Sequence, residues 1–397
     1  MTQRILLFLA ASVLAVADRI PWNTAELYKV PQVQDQQTSE PGVRALLFEG
    51  MPYKGKPTRV FAYYGAPAHA AGAKLPAMVL IHGGGGTAFA EWVRLWNSRG
   101  YAAIAMDTVG TRPAKAEGAK LWNPDRTRDE FSGPAGWGDF DNVDLPPQDQ
   151  WSYHAVAAAV RAHSLLRSFA EVDPKRIGVT GISWGGYLTS IVSGVDQRFR
   201  FAAPVYGCGF LGEDSAWLPQ FAKLGEARAG HWLSLWDPSR YLAAAKLPML
   251  WVNGTNDFAY PLPSWQKSYR LTKGKRTLAV RVRMKHSHPD GAVPEEIHAY
   301  ADAMLKKGEP LGRVAAQGMA SGRMWVKYAG GRAPAKAELE YTADTGKWQD
   351  RKWETVPGEI DGKTHRASAR VPAGAKAYYL NLFDESGRVV SSEHVVQ

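Results

Sequence analysis

A single cysteine, Cys208, stands among 397 residues, so no disulfide can form within the chain. Blocks of like charge are missing as well. The 48 Lys plus Arg outnumber the 38 Asp plus Glu and leave a net charge of +10. These basic residues fall singly or in pairs, which excludes a nucleic-acid-binding arm and reads as a surplus that aids solubility. No repeat or low-complexity segment interrupts the chain. Asp139, Asp141 and Asp144 lie close together but lack the glycine and terminal glutamate of a calcium loop, so they read as a solvated loop and no metal is expected. The N-terminal apolar stretch, residues 5–17, is too short to cross a bilayer as a stable helix, and no membrane span is expected. Aromatic residues are plentiful: 15 Trp, 16 Tyr and 13 Phe within a 45% hydrophobic composition. That excludes disorder, and the length suits two or three domains, each with its own core.

Arg4 precedes the apolar stretch, which ends in Ala15-Val16-Ala17 before Asp18. The basic, apolar and small-residue parts match a secretory signal, so residues 1–17 are expected to be a signal peptide. The protein is expected to be exported, to a periplasmic or extracellular compartment. No cysteine follows the stretch to carry a lipid anchor.

Between about residues 43 and 308, short apolar runs alternate with helical patterns, the signature of a mostly parallel α/β sheet. Eight strands are expected, at residues 44–48, 58–64, 77–82, 102–107, 176–180, 201–206, 249–253 and 277–284. Helical spacing marks residues 151–169 and 187–195. Two connections, 108–150 and 209–246, are longer than a compact fold needs and too aromatic for disorder, so they are expected to be functional. Both leave the carboxyl ends of strands, where open α/β sheets bind ligands. After residue 312 the pattern changes to period two, with strands expected at 323–328, 336–341, 352–355, 364–371, 377–383 and 389–396. This reads as a small immunoglobulin-like β-sandwich. The domains expected are therefore 18–312, an α/β domain with an N-terminal arm, and 313–397, an accessory β-sandwich.

Gly181-Ile182-Ser183-Trp184-Gly185-Gly186 follows one expected strand and opens a helical pattern. A bare G-x-S-x-G arises by chance in about one such chain in five, but a strand-turn-helix context makes it a nucleophile elbow. Such a serine needs a base and an oxyanion site. His82-Gly83-Gly84-Gly85-Gly86 ends another strand and supplies backbone N–H groups. Gly84 is the expected donor within Gly83 to Gly85, with the N–H of Trp184 as the second. The acid should follow the serine in the chain, and Asp257 lies just past the strand 249–253. Asp237 reads as a turn or cap, and Asp290 is too near His288 to orient it. Lys285-His286-Ser287-His288-Pro289 follows the last strand. His288 is the expected base, because a catalytic loop extends a few residues before turning back, and His286 is the alternative. His154 and His163 read as packing or surface residues, and Cys208 as a buried small side chain.

With these residues the chain resembles the secreted bacterial α/β-hydrolases grouped with acetylxylan esterases and the prolyl-oligopeptidase superfamily. The likeness rests on His82 to Gly86, residues 176–187, Asp257 and His286-Ser287-His288, within residues 77–311. It implies an α/β-hydrolase fold with Ser183 as nucleophile, Asp257 as orienting acid and His288 as base. The peptidase branch usually holds its base in Gly-His-Gly, from which Ser287-His288-Pro289 departs. That branch also carries a large β-propeller ahead of the hydrolase domain, for which the stretch before His82 is too short. The expected function is therefore a serine esterase that deacetylates carbohydrate or other small acyl esters, on a small-molecule or polysaccharide substrate and without a cofactor. Trp122, Trp137 and Trp217 could stack on sugar rings. The alternatives are a serine peptidase and a non-catalytic carbohydrate-binding protein that has kept the fold. Oligomeric state is not readable from the sequence.

Overall fold

The computed structural model describes residues 20–114, 122 and 125–397. The expected signal peptide, residues 1–17, lies outside the described residues, as does much of the segment 115–124.

The strands of the first sheet are β1 (Val33–Gln36), β2 (Arg44–Glu49), β3 (Arg59–Gly65), β4 (Leu75–Ile81), β5 (Ala102–Met106), β6 (Val172–Ile182), β7 (Ala202–Val205), β8 (Met249–Gly254) and β9 (Arg276–Arg281). They lie side by side as β1-β2-β3-β5-β4-β6-β7-β8-β9. Pairing from β5 through β9 is parallel, while β1, β2 and β3 pair antiparallel. The central strands are buried on both faces, which is why β4, β5 and β8 read as unbroken apolar runs.

The sheet therefore has nine strands among the described residues, where eight were expected. The extra one, β1, has the sequence Val-Gln-Asp-Gln and is mostly exposed at the sheet edge. An edge strand with no buried face carries no apolar alternation, so its sequence holds no signal.

Helices pack on both faces. The longest, Trp151–Leu166, is buried along nearly its whole length, and Trp184–Val195 starts directly after β6. The connection 209–246 contains helices Leu218–Leu224 and Glu226–Trp236. Trp232 and Trp236 on the second of these are fully buried. No helix among the described residues is long and apolar enough to cross a membrane.

The C-terminal region forms two antiparallel sheets. One orders Arg313–Ala320, Arg323–Ala329, Arg366–Arg370 and Glu359–Asp361; the other orders Glu354–Pro357, Lys336–Thr342, Ala377–Phe383 and Val389–Ser391, with Val395–Val396 also paired to Ala377–Phe383. Met324, Val326, Leu339, Ala367 and Leu380 form a small core between them. The first of these strands, Arg313–Ala320, is largely exposed, so its pattern gave no expectation. Tyr379, Val389, Val390, Trp348 and Trp353 belong instead to the core of the α/β layer. The second sheet is thus covered on both faces, and Ala377–Phe383 is buried almost throughout. Val280 on the edge strand β9 donates its N–H to Ser391 Oγ at 2.8 Å and accepts from Asn381 Nδ2 at 3.2 Å. Two side chains therefore end the large sheet where a tenth strand would otherwise pair.

Candidate active site

Ser183 sits at the turn from β6 into helix Trp184–Val195 with φ 60° and ψ −120°. A serine in this left-handed region is strained, and the surroundings enforce it. A Cβ on Gly185 would lie 1.9 Å from the Ile81 carbonyl oxygen, one on Gly181 2.2 Å from that of Gly185, and one on Gly186 2.4 Å from that of Val205. The glycines are therefore required by close backbone approach. The turn is pinned by Ser183 N–H donating to Val205 O at 3.0 Å.

The histidine facing Ser183 is His286, which corrects the expectation that His288 would do so. His286 Nε2 lies 2.8 Å from Ser183 Oγ, and its Nδ1 lies 2.6 Å from Asp257 Oδ2. Asp257 is fully buried, and its other oxygen accepts from Ala259 N–H at 2.9 Å and Tyr260 N–H at 2.7 Å. A carboxylate so held leaves Oδ2 to receive Nδ1–H, which puts the Nε2 lone pair toward the serine hydroxyl. Tyr206 stacks on His286 with centroids 4.4 Å apart and donates its hydroxyl to Lys285 O at 2.5 Å. Phe258, half exposed, packs on the imidazole from 4.9 Å. Neither aromatic was anticipated; the only sequence signal was that each borders a strand end.

His288 misses the relay because a short helix, His288–Ala292, begins at that residue. Ser287 caps the helix by accepting from Asp290 N–H, so the loop turns away after His286 instead of extending further. His288 Nε2 accepts from Gly83 N–H at 2.9 Å, which fixes its proton on Nδ1. Burial, with His82 and His286 nearby, depresses its pKa to about 3, so it stays neutral. His82 is also buried neutral: its Nδ1 faces Gly83 O at 2.8 Å, and its Nε2 accepts from Thr108 N–H at 2.9 Å.

These histidines shape the glycine loop. Gly86 N–H returns to Gly83 O at 3.1 Å, making a tight turn with Gly84 and Gly85 exposed at its tip. Gly85 takes φ +75°, which a side chain would resist. His288 consumes the Gly83 N–H, which narrows the oxyanion donors left in this loop. A Cβ on Gly84 would come within 3.0 Å of the Trp184 indole, so the residues that carry the two expected donors adjoin through that ring.

The remaining acidic and cysteine candidates lie elsewhere. Asp237 is buried and accepts from the N–H groups of Phe210, Leu211 and Ser239. Asp290 binds Ser287. Asp139 accepts from Trp151 N–H, and Asp144 pairs with Arg228. Cys208 is buried. Trp217 packs between Trp184 and Tyr260. Trp122 packs on Phe89 and Trp92, while Trp137 lies under the Arg126 guanidinium.

Residues 23–213 match the family described as Acetyl xylan esterase (AXE1), and residues 148–305 match the Prolyl oligopeptidase family. The fold is similar to that of the acetyl xylan esterase from Paenibacillus sp. R4, with TM-score 0.55 and 22% identity over 71% of this chain and 92% of that one. Acetyl xylan esterase 1 from Thermoanaerobacterium sp. JW/SL YS485 gives TM-score 0.53 and 16% identity over 73% and 95%. The chain has the α/β-hydrolase fold. Its sequence is similar to both the acetylxylan esterases and the prolyl-oligopeptidase superfamily. A curated relative, the uncharacterized peptidase YuxL of Bacillus subtilis (strain 168), is 27% identical over 227 residues, which is 52% of this hydrolase but only 30% of that protein's length.

Proposed function

We propose that this α/β-hydrolase is a serine esterase that removes acetyl or similar small acyl groups, with acetylated carbohydrate as the substrate class. The observation that carries the reading is the continuous hydrogen-bonded path Ser183–His286–Asp257. Ser183 Oγ attacks the ester carbonyl carbon while its proton passes to His286 Nε2. The displaced carbonyl electron pair rests on an oxygen held by the N–H groups of Gly84 and Trp184, each donor worth about 3 kcal/mol in the transition state. Collapse expels the alcohol, which takes the proton back from His286, and water repeats the cycle on the acyl-enzyme to release the acid. Asp257 stabilises the transient imidazolium. No step calls for a metal or cofactor. The N-terminal pattern of Arg4 and residues 5–17 supports export to a compartment where polysaccharide esters occur.

The match of residues 148–305 to the Prolyl oligopeptidase family favours a second reading, a serine peptidase. Hydrolysis of p-nitrophenyl acetate and acetate release from acetylated xylan, set against cleavage of aminoacyl and prolyl anilides, separates the two. Ester turnover should dominate, and Ser183→Ala should abolish it. Wild-type turnover in Ser183→Ala would defeat both readings, and anilides cleaved faster than esters would favour the peptidase.

A further inference from the structure

Asn256 precedes Asp257, yet its side chain points to the C-terminal region. Its Nδ2 faces three backbone carbonyls, those of Trp348 at 3.3 Å, Gln349 at 3.1 Å and Arg351 at 2.7 Å. Only the amide nitrogen can meet three acceptors, so the partners fix the orientation of the group. Its Oδ1 accepts from Thr255 Oγ1 at 2.7 Å, and that hydroxyl oxygen accepts from Arg283 N–H at 2.9 Å. Arg283 lies three residues before His286 and holds φ +52°, a conformation that needs support in a non-glycine residue. Its guanidinium donates to Trp353 O at 2.6 Å. Loop 348–353 therefore grips the acid loop and the base loop together. The loop is itself anchored, because Trp348 and Trp353 are buried, their rings 6.3 Å apart, in the core of the α/β layer.

We infer that the C-terminal β region belongs to the catalytic apparatus: through Asn256 and Arg283, positioning residues, its 348–353 loop holds Asp257 and His286 in register with Ser183. The inference rests on the hydrolytic role proposed for those three. Asp257 is bonded to the N–H groups of Ala259 and Tyr260, so a shift of its loop carries the carboxylate with it. Ser183 is held within the α/β layer by Val205 O, which accepts its N–H, and the 83–86 turn by its own Gly86 N–H to Gly83 O bond. Loosening the clamp should therefore disturb the acid–base half of the site and leave the binding of substrate near Ser183 intact.

The test is Asn256→Ala in the full chain. The turnover number for p-nitrophenyl acetate should fall about 10- to 100-fold with KM changed less than about twofold. Labelling of Ser183 by a fluorophosphonate should slow in parallel. Independently of turnover, the downfield N–H proton resonance of the His286–Asp257 hydrogen bond should broaden or move upfield. Arg283→Ala, at an exposed side chain, should act in the same direction and serves if Asn256→Ala does not fold. Arg270→Ala, which removes a rim ion pair with Glu393 at the same seam, should keep wild-type turnover. Wild-type turnover and an unchanged N–H resonance in Asn256→Ala and Arg283→Ala would overturn the inference. So would an equal loss in Arg270→Ala, which would mean general loosening of the seam. If the wild-type protein neither turns over esters nor takes the label, the hydrolytic reading fails, while the N–H resonance still decides whether the clamp positions the pair.

Discussion

His286 and His288 are two residues apart and have opposite environments. His286 keeps a carboxylate on one nitrogen and the serine on the other. His288 is partly buried with no carboxylate bonded to its ring and serves as an acceptor for Gly83 N–H. Substitution should separate them sharply. His286→Ala is expected to lower kcat/KM for p-nitrophenyl acetate by about 10⁴-fold or more, because serine loses its proton acceptor. His288→Gln, which retains an acceptor for Gly83, should stay within about tenfold of wild type, since only the turn that presents Gly84 is affected. Steady-state kinetics on the two variants checks this, and the reverse ranking would return the base to His288. Sequence reasoning reached both histidines but favoured His288, the one that does not face Ser183. The choice depends on where the chain starts its next helix, and a five-residue helix with proline at its second position has almost no periodicity to read.

At the scale of elements, the long connection 209–246 folds over the site and is tied down by one buried carboxylate. Asp237 accepts three backbone N–H groups, from Phe210 and Ser239 on one oxygen and Leu211 on the other, and burial raises its pKa against the lowering effect of those bonds. Asp237→Ala would strand those donors in the interior and is expected to cost about 2–4 kcal/mol of stability, with Asp237→Asn costing less. Denaturant midpoints of the two variants test it; equal, small shifts would show that the carboxylate is dispensable. That Asp237 is a local anchor was readable from Asp-Pro-Ser, but its reach back to Phe210 was not, because those partners are far apart in sequence. The same holds for the aromatic residues of these connections. Eleven of the 15 tryptophans are buried, seven of them fully, including Trp151, Trp232 and Trp236, so most of the abundance of this residue reflects packing.

For the whole molecule, acid is the expected weakness. His82, His154, His163, His288, His298 and His394 are all shifted down by burial, His154 and His298 to about 4 and His288 and His394 to about 3. Once unfolded, each regains an ordinary histidine value near 6.5. Between these limits the unfolded chain binds more protons, so stability rises with pH there and falls as pH is lowered from about 6.5 toward 4. Thermal unfolding across that range should show a steadily falling Tm, with little change between about pH 7 and 8 from these groups. A flat Tm down to pH 4 would mean that the histidines are not buried neutral. His394 lies in the C-terminal region against Trp348, so this loss should reach the seam that supports Asp257.

Local chemistry in the chain determined the strand that ends in Gly-x-Ser-x-Gly, the glycine loop after His82, Asp257 beyond β8 and the change to period two after residue 312. Each is a short-range rule: hydrophobic periodicity, steric need for glycine, chain order. Only the tertiary structure decided that His286 and not His288 meets Ser183, that an exposed strand adds a ninth member to the sheet, and that the C-terminal sheet shares its core with the α/β layer. Those outcomes rest on contacts between residues far apart in the chain, whose energies depend on packing and on which buried N–H groups find acceptors, and no window of sequence contains both partners.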